Sequence, residues 1–145
     1  MSKKLVDPHY AKGGEYQRVM VEIQKARVCP LCHMRWHKNP ILRRKGGWFI
    51  TKSTGPYQNA DHHFLVIGKR HRESLDTLSA NDFRDAIFLM RWAVRTFKIR
   101  GGAIALRFGD TRFTGATICH LHFHLIVPKL DRKKKRARLV QFPVG

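Results

Sequence analysis

Residues 118–128 read ICHLHFHLIVP, and their alternation decides the fold of the segment. Side chains two apart on an extended strand share a face. The pattern therefore predicts His120, His122 and His124 on one face, and Leu121, Phe123, Leu125 and Val127 on the other. Packing against a helix explains the apolar face. It does not explain the histidine face, because every buried ring nitrogen needs a partner. Two chemistries account for it. Imidazole is the common neutral metal ligand, and it is also a nucleophile near pH 7 whose neighbours can stabilise phosphate charge.

Outward from this strand, Ala103 to Arg107 reads as another strand, and Gly101–Gly102 as the stop of a long helix. Ser79 and Asp82 have capping-box spacing at its start. Phe83, Ile87, Met90, Val94 and Phe97 recur every three or four residues, which predicts a core-facing stripe. Residues 63–67, HFLVI, and Trp48 to Lys52 read as strands, with a basic turn over Arg43 to Gly47 between a Cys- and Pro-rich loop and Trp48. Residues 15–28 read as a shorter helix, although Val19, Val21 and Ile23 also alternate. The sum is an α+β domain: a mainly antiparallel sheet of about five strands, a long helix and a shorter N-terminal one. Residues 1–14 are expected to be a flexible arm and 15–130 the domain. Residues 131–145 are expected to be a basic tail, with Arg136 to Phe142 as a candidate edge strand.

The chain has 145 residues and 43% hydrophobic residues, enough for one core. It carries 29 Lys and Arg against 10 Asp and Glu, a net +19. Residues 129–138 hold seven of the cations and one acid. Such a surface attracts phosphate-rich partners in a salt-sensitive way, so nucleic acid is an expected partner. No segment approaches the ~20 apolar residues of a membrane span, and the first residues lack the apolar stretch of a signal peptide. Three cysteines do not form a secreted disulfide framework. A cytoplasmic, reducing location is expected.

Cys29 and Cys32 have metal-knuckle spacing, which is half of a tetrahedral site. The residues alone leave its completion open. His33 and His37 lie close by in sequence, and an unmetallated reduced pair is a further reading. Cys119, one residue before His120, is expected on the apolar face and outside any cluster.

The run HLHFHLIVP resembles the His-φ-His-φ-His-φ-φ signature (φ apolar) of the histidine-triad superfamily. HFLVIGKRHRESLDTL, residues 63–78, is similar to that family's segment before its long helix. With the Cys pair, the resemblance spans roughly residues 27–128. It implies the family's fold, a homodimer with a continuous sheet, and a hydrolase or transferase of nucleotides. Dinucleoside polyphosphates and nucleoside phosphoramidates are the expected substrates. A nucleic-acid-end deadenylase, as in aprataxin-like members, and a nucleotide- or RNA-binding module are the alternatives. The resemblance makes His122 the nucleophile that forms a covalent nucleotidyl-histidine. It places His124 near the phosphate or leaving group and makes His63 the orienting residue. It puts Thr117 at a phosphate contact, with Gly109 and Arg112 on the phosphate-side loop. It also implies that His71 and His120 join Cys29 and Cys32 around a structural zinc. The chain departs from the pattern at Ala116, at Gly68 and in the loop Asn59–His62, all of which bear on substrate and leaving group.

Overall fold

Trp48–Lys52 and the apolar run after His63 supply aromatic and β-branched side chains, which suit a pleated surface buried on both faces. The computed structural model describes residues 5–11 and 13–145. In it these runs are the centre of a five-stranded antiparallel sheet in the order β1-β2-β3-β5-β4. The strands are β1 (Ile41–Lys45), β2 (Trp48–Lys52), β3 (Ala60–Gly68), β4 (Ala103–Leu106) and β5 (His122–Pro128). Four helices accompany them: α1 (Gly14–Ala26), α2 (Pro30–His33), α3 (Ala80–Thr96) and α4 (Thr111–Thr114). Arg43 to Lys45, expected as a turn, belong instead to β1. An edge strand can leave its charged side chains in solvent.

The long helix starts where its cap predicts. Ser79 Oγ accepts the amide of Asp82, and the Asp82 carboxylate accepts the amide of Ser79. Asp82 also takes a two-pronged contact from Arg72 (2.8 and 2.9 Å) and the indole N–H of Trp48 (2.9 Å). The Arg72 guanidinium holds this carboxyl well below the usual carboxylate range. The helix ends at Thr96, before the glycines, through a left-handed turn at Lys98 (φ +52°). Gly102 serves a close approach instead, since a Cβ there would lie 2.5 Å from the Ile126 carbonyl oxygen.

Which face of α3 is buried differs from the stripe in the sequence. Ala86, Leu89, Met90 and Ala93 meet Trp48, Ile50, Phe64, Val66, Phe123 and Leu125. Phe83, Ile87 and Val94 are 40%, 41% and 37% exposed. The two alanines let the helix backbone approach the sheet, which turns the contact line toward them. The larger residues are left on the flank, and Phe83 still meets the Phe123 ring edge-on at 5.6 Å.

The ends of the chain also depart from expectation. Residues 1–4 and 12 of the predicted arm lie outside the described residues. Leu5 to Ala11 are tied down: Val6 is fully buried and bridges Ile118, and Asp7 donates its amide to the Thr117 carbonyl. At the other end, Arg136 to Phe142 do not extend the main sheet. Only β7 (Arg136–Ala137) is a strand, paired with β6 (Leu130–Asp131) in a separate hairpin. The residues after it fold back over the sheet. Asn59 bonds to the Leu139 carbonyl and Arg107 to that of Pro143.

Leu89→Ala should cost about 2–5 kcal/mol in urea unfolding, the range for emptying a buried leucine site. Val94→Ala on the exposed flank should cost less than about 1 kcal/mol. Equal costs would contradict the assignment of the buried face.

Candidate active site and metal cluster

Strand β5 carries two of the three histidines. His122 and His124 share a face, with ring centroids 4.8 Å apart. His120 precedes the strand and leaves that face, contrary to the simple alternation. Its ring turns toward the Cys pair, anchored by Nε2 donating to the Gly68 carbonyl at 2.7 Å. Pairing with β3 brings the remaining histidine in: Leu65 lies opposite His124 and His63 opposite Ile126.

The hydrogen bonds fix a proton order. The backbone N–H of Tyr57 donates to His63 Nδ1 (3.3 Å), so that nitrogen is an acceptor and the neutral ring carries its proton on Nε2. His63 Nε2 then donates to His124 Nδ1 at 2.9 Å. The neutral His124 ring therefore carries its proton on Nε2. Among the described residues that buried nitrogen has no partner. On the neighbouring ring, His122 Nδ1 donates to the His120 carbonyl at 2.7 Å, which leaves the Nε2 lone pair available. Burial lowers all three imidazoles from their ordinary value. For His63 the neighbouring His122 and Arg107 add to this and bring it to about 4. His122 falls through burial, opposed by its bond to the His120 backbone and helped by Arg107. His124 falls well below the usual range, through burial first and then His122, His63 and Arg107. The rings are thus neutral near pH 7 and hold the tautomers that the bonds dictate.

These groups line a cavity of about 830 Å³ that they share with Tyr57, Arg107 and Thr117. Ile23, Leu31 and Trp36 supply an apolar end. Tyr57 stacks on His63 (4.6 Å, 17°), and Phe142 from the chain's far end meets His124 edge-on at 5.1 Å. Thr117 lies on the cavity wall. Gly109 and Arg112 do not line it. Gly109 donates its amide to the Glu73 carbonyl, and the exposed Arg112 is paired with Asp110 at 2.6 Å.

The cation beside the histidines of this cavity is Arg107, while Lys38 also lines it. Ala105 pairs with His124 and Leu106 with Phe123, so the next residue along β4 faces His122. Its guanidinium donates to the Pro143 carbonyl (2.9 and 2.5 Å) and the Tyr57 hydroxyl (3.1 Å), and lies 3.9 Å over the Phe142 ring. None of these partners is acidic. The sequence held a signal for it: a cation closing a strand that pairs with the histidine strand in antiparallel register.

Cys29, Cys32, His71 and His120 form the second cluster, with their ligand atoms within 4.8 Å of one another. His120 Nδ1 lies 3.4 Å from both sulfurs, and His71 Nδ1 3.4 Å from Cys32 Sγ. A tetrahedral ion ~2.3 Å from sulfur and ~2.0–2.1 Å from nitrogen sets S and N about 3.5 Å apart. Both rings have the far nitrogen engaged, His120 by Gly68 and His71 by Glu73 Oε1 at 2.8 Å, so both Nδ1 lone pairs face the sulfurs. Burial and the nearby Cys29 push the bare Cys32 thiol up to about 12, so a cation is what would hold it as thiolate. The donor set fits a closed N/S metal site. His37 is committed to Thr51 (2.9 Å), and His33 is exposed outside the cluster. Cys119 also lies outside it.

At the level of sequence, no family model and no curated protein matches the chain. Solved structures do match it. The histidine triad nucleotide-binding protein from Candida albicans aligns over 81% of this chain and 85% of its own, with 19% identity and a TM-score of 0.59. A Zn-bound histidine triad family protein from Mycobacterium smegmatis aligns over 78% and 84%, with 20% identity and a TM-score of 0.54. Plasmodium falciparum diadenosine triphosphate hydrolase, solved in complex with Cyclomarin A, aligns over 68% and 65%, with 17% identity and a TM-score of 0.52. The five-stranded sheet with its long helix is the histidine-triad fold.

The proton order has a direct consequence. Between about pH 4 and the ordinary 6.5, unfolded chain binds a proton at His63 that the folded protein does not. The contribution of this residue to stability is therefore full above 6.5 and declines as pH falls toward 4. An NMR titration of nitrogen-labelled imidazoles should show His63 neutral and Nε2-protonated at pH 6, with a midpoint near 4. An Nδ1-protonated ring, or a midpoint at 6, would break the chain of inference to His124.

Proposed function

We propose that the protein is a nucleotide hydrolase that works through a covalent nucleotidyl-histidine on His122. One observation carries this: a lone pair on His122 Nε2 and an unpartnered proton on His124 Nε2 face the same cavity. The histidine-triad fold, shared with a nucleotide-binding protein and a diadenosine triphosphate hydrolase, supports it.

His122 Nε2 attacks the α-phosphorus. The N–P bond forms as the bond to the leaving group breaks. His124 Nε2–H donates to the phosphoryl or leaving-group oxygen, and the approach of the anion raises its basicity. Water then cleaves the N–P bond and regenerates the imidazole, splitting one hard displacement into two. His63 acts through His124 as a positioning residue, and Thr117 offers a hydroxyl to the phosphate. Arg107 stabilises the charge that grows on the phosphoryl oxygens. The base lies at the apolar end, near Ile23 and Trp36. Substrates whose α-phosphorus carries a phosphate or amine leaving group, such as dinucleoside polyphosphates or nucleoside phosphoramidates, meet these requirements.

His122→Asn should retain the fold and nucleotide affinity but lose turnover by several orders of magnitude, as when a nucleophile is removed. Rapid quenching of the unmodified protein with labelled nucleotide should trap label on His122. Arg107→Gln should lower kcat about 10²–10³-fold, the scale for losing a donor to developing charge. Near-normal turnover in His122→Asn would refute the mechanism.

We also propose that the Cys29, Cys32, His71 and His120 cluster holds one structural zinc, which ties the loop before β1 to the sheet and supplies no step of the reaction. The chain is further proposed to form a homodimer. The outer edge of β4, with Ile104 51% exposed, and the flank of Phe83, Ile87 and Val94 offer the apolar surface for it. Among the described residues no helix is long and apolar enough to cross a membrane. Among the described residues no disulfide joins the cysteines, and a reducing cytoplasm is the proposed location. Native mass spectrometry should find a dimer with one zinc per chain. Cys32→Ser should lose the metal and lower Tm while reducing kcat much less. Metal-free protein purified under reducing conditions would rule out the zinc.

A further inference from the structure

A second concavity, of about 1400 Å³, lies between the β6–β7 hairpin and the segment joining α3 to β4. Its rim is cationic. Lys98 and Arg100 stand on one wall, and Lys134, Lys135, Arg136 and Arg138 on the other. Two acids border it, Asp61 and Asp131. Asp131 is engaged in the hairpin, where it takes the amides of Lys133 and Lys134 and lies 4.0 Å from Arg138. Among the described residues no carboxylate pairs with the other five cations. Facing walls of like charge repel one another, so an anion between them is favoured.

The groove is not only charged. Phe97, Ile99, Val127, Leu130, Leu139 and Phe142 line it as well, and Leu130 and Leu139 are 61% and 75% exposed. An inorganic polyanion makes no use of such a lining. A duplex keeps its bases stacked inside. A single strand offers phosphates to the rim and unstacked bases to the apolar and aromatic surface. The groove also adjoins the histidine cavity: Leu139 lines both, and Phe142, which lines the groove, meets the His124 ring.

We infer that this groove binds single-stranded nucleic acid and leads its terminal nucleotide into the histidine cavity. The second half rests on the hydrolase reading, while the first does not.

The test uses the full chain with its metal and a fluorescent 12-nucleotide single strand, followed by anisotropy across salt. A matched duplex and inorganic polyphosphate serve as competitors. The single strand should bind about tenfold or more tightly than either competitor near 0.15 M salt. Replacing Lys134, Lys135 and Arg136 together with Gln should weaken strand binding at least about tenfold. It should also flatten the slope of log K against log salt by about 2, at ~0.7 per phosphate contact. Lys98→Gln with Arg100→Gln, on the opposite wall, should do the same in kind. All five residues are exposed and outside the catalytic machinery, so Tm and kcat/KM for a small dinucleotide should not change. Unaltered strand affinity in both variants, or polyphosphate bound as tightly as the strand, would overturn the groove. The strand should inhibit dinucleotide turnover competitively, and non-competitive inhibition would overturn its entry into the cavity. Strand binding by a protein that turns over no nucleotide would sink the hydrolase reading and leave the groove standing.

Discussion

A single amide sets the chemistry of the site. The backbone N–H of Tyr57 can only donate, and from that one fact the proton positions on His63 and His124 follow in order. Two tautomers are inherited from a peptide group, with no carboxylate in the relay. The geometry that makes this possible is the antiparallel register of β3 on β5, which sets the two rings 2.9 Å apart. Slipping that register by one residue would put His63 on the opposite face of the sheet from His124. Burial then keeps the relay neutral, because a charged imidazole in this pocket would lose its hydration without gaining a counter-charge.

The cysteine–histidine cluster follows the same rule of one nitrogen engaged and one turned toward its partners. Gly68 and Glu73 orient His120 and His71 as outer partners of metal-bound histidines do. His120 belongs to both sites, since its ring faces the sulfurs while its carbonyl holds the His122 ring. Mechanical order in the cluster is thereby passed to the His122 ring through the backbone of His120.

Much of this was legible in the sequence, for definite reasons. Alternation placed His122 and His124 on a common face, and the capping residues Ser79 and Asp82 marked the start of α3 to the residue. The four residues of the cluster followed from the family resemblance, and the structure gathers them. What could not be read depended on distance in the chain. Periodicity says that a helix has an apolar side but not which of two neighbouring sides a sheet will accept. Ala86 and Ala93, small and unremarkable in sequence, settled that for α3. The resemblance places Arg112 on the phosphate-side loop, but it pairs with Asp110 two residues away and does not line the cavity. Arg107 faces His122 only because β4 pairs with β5, a fact that no local window contains. The first described residues likewise looked loose until Ile118, far along the chain, provided the partner for Val6.

Phe142 and Pro143 have a consequence in time. Pro143 lines the histidine cavity and its carbonyl anchors the Arg107 guanidinium, and Phe142 packs on the His124 ring, yet both follow every strand of the sheet in the order of synthesis. A nascent chain that has emerged as far as Pro128 possesses the three imidazoles of the cavity and all four residues of the cysteine–histidine cluster. It lacks the wall that encloses them and the carbonyl that steadies the cation. The histidines of such a chain thus stand in a wetter, more open site, and the cavity is completed only when Phe142 and Pro143 have left the ribosome.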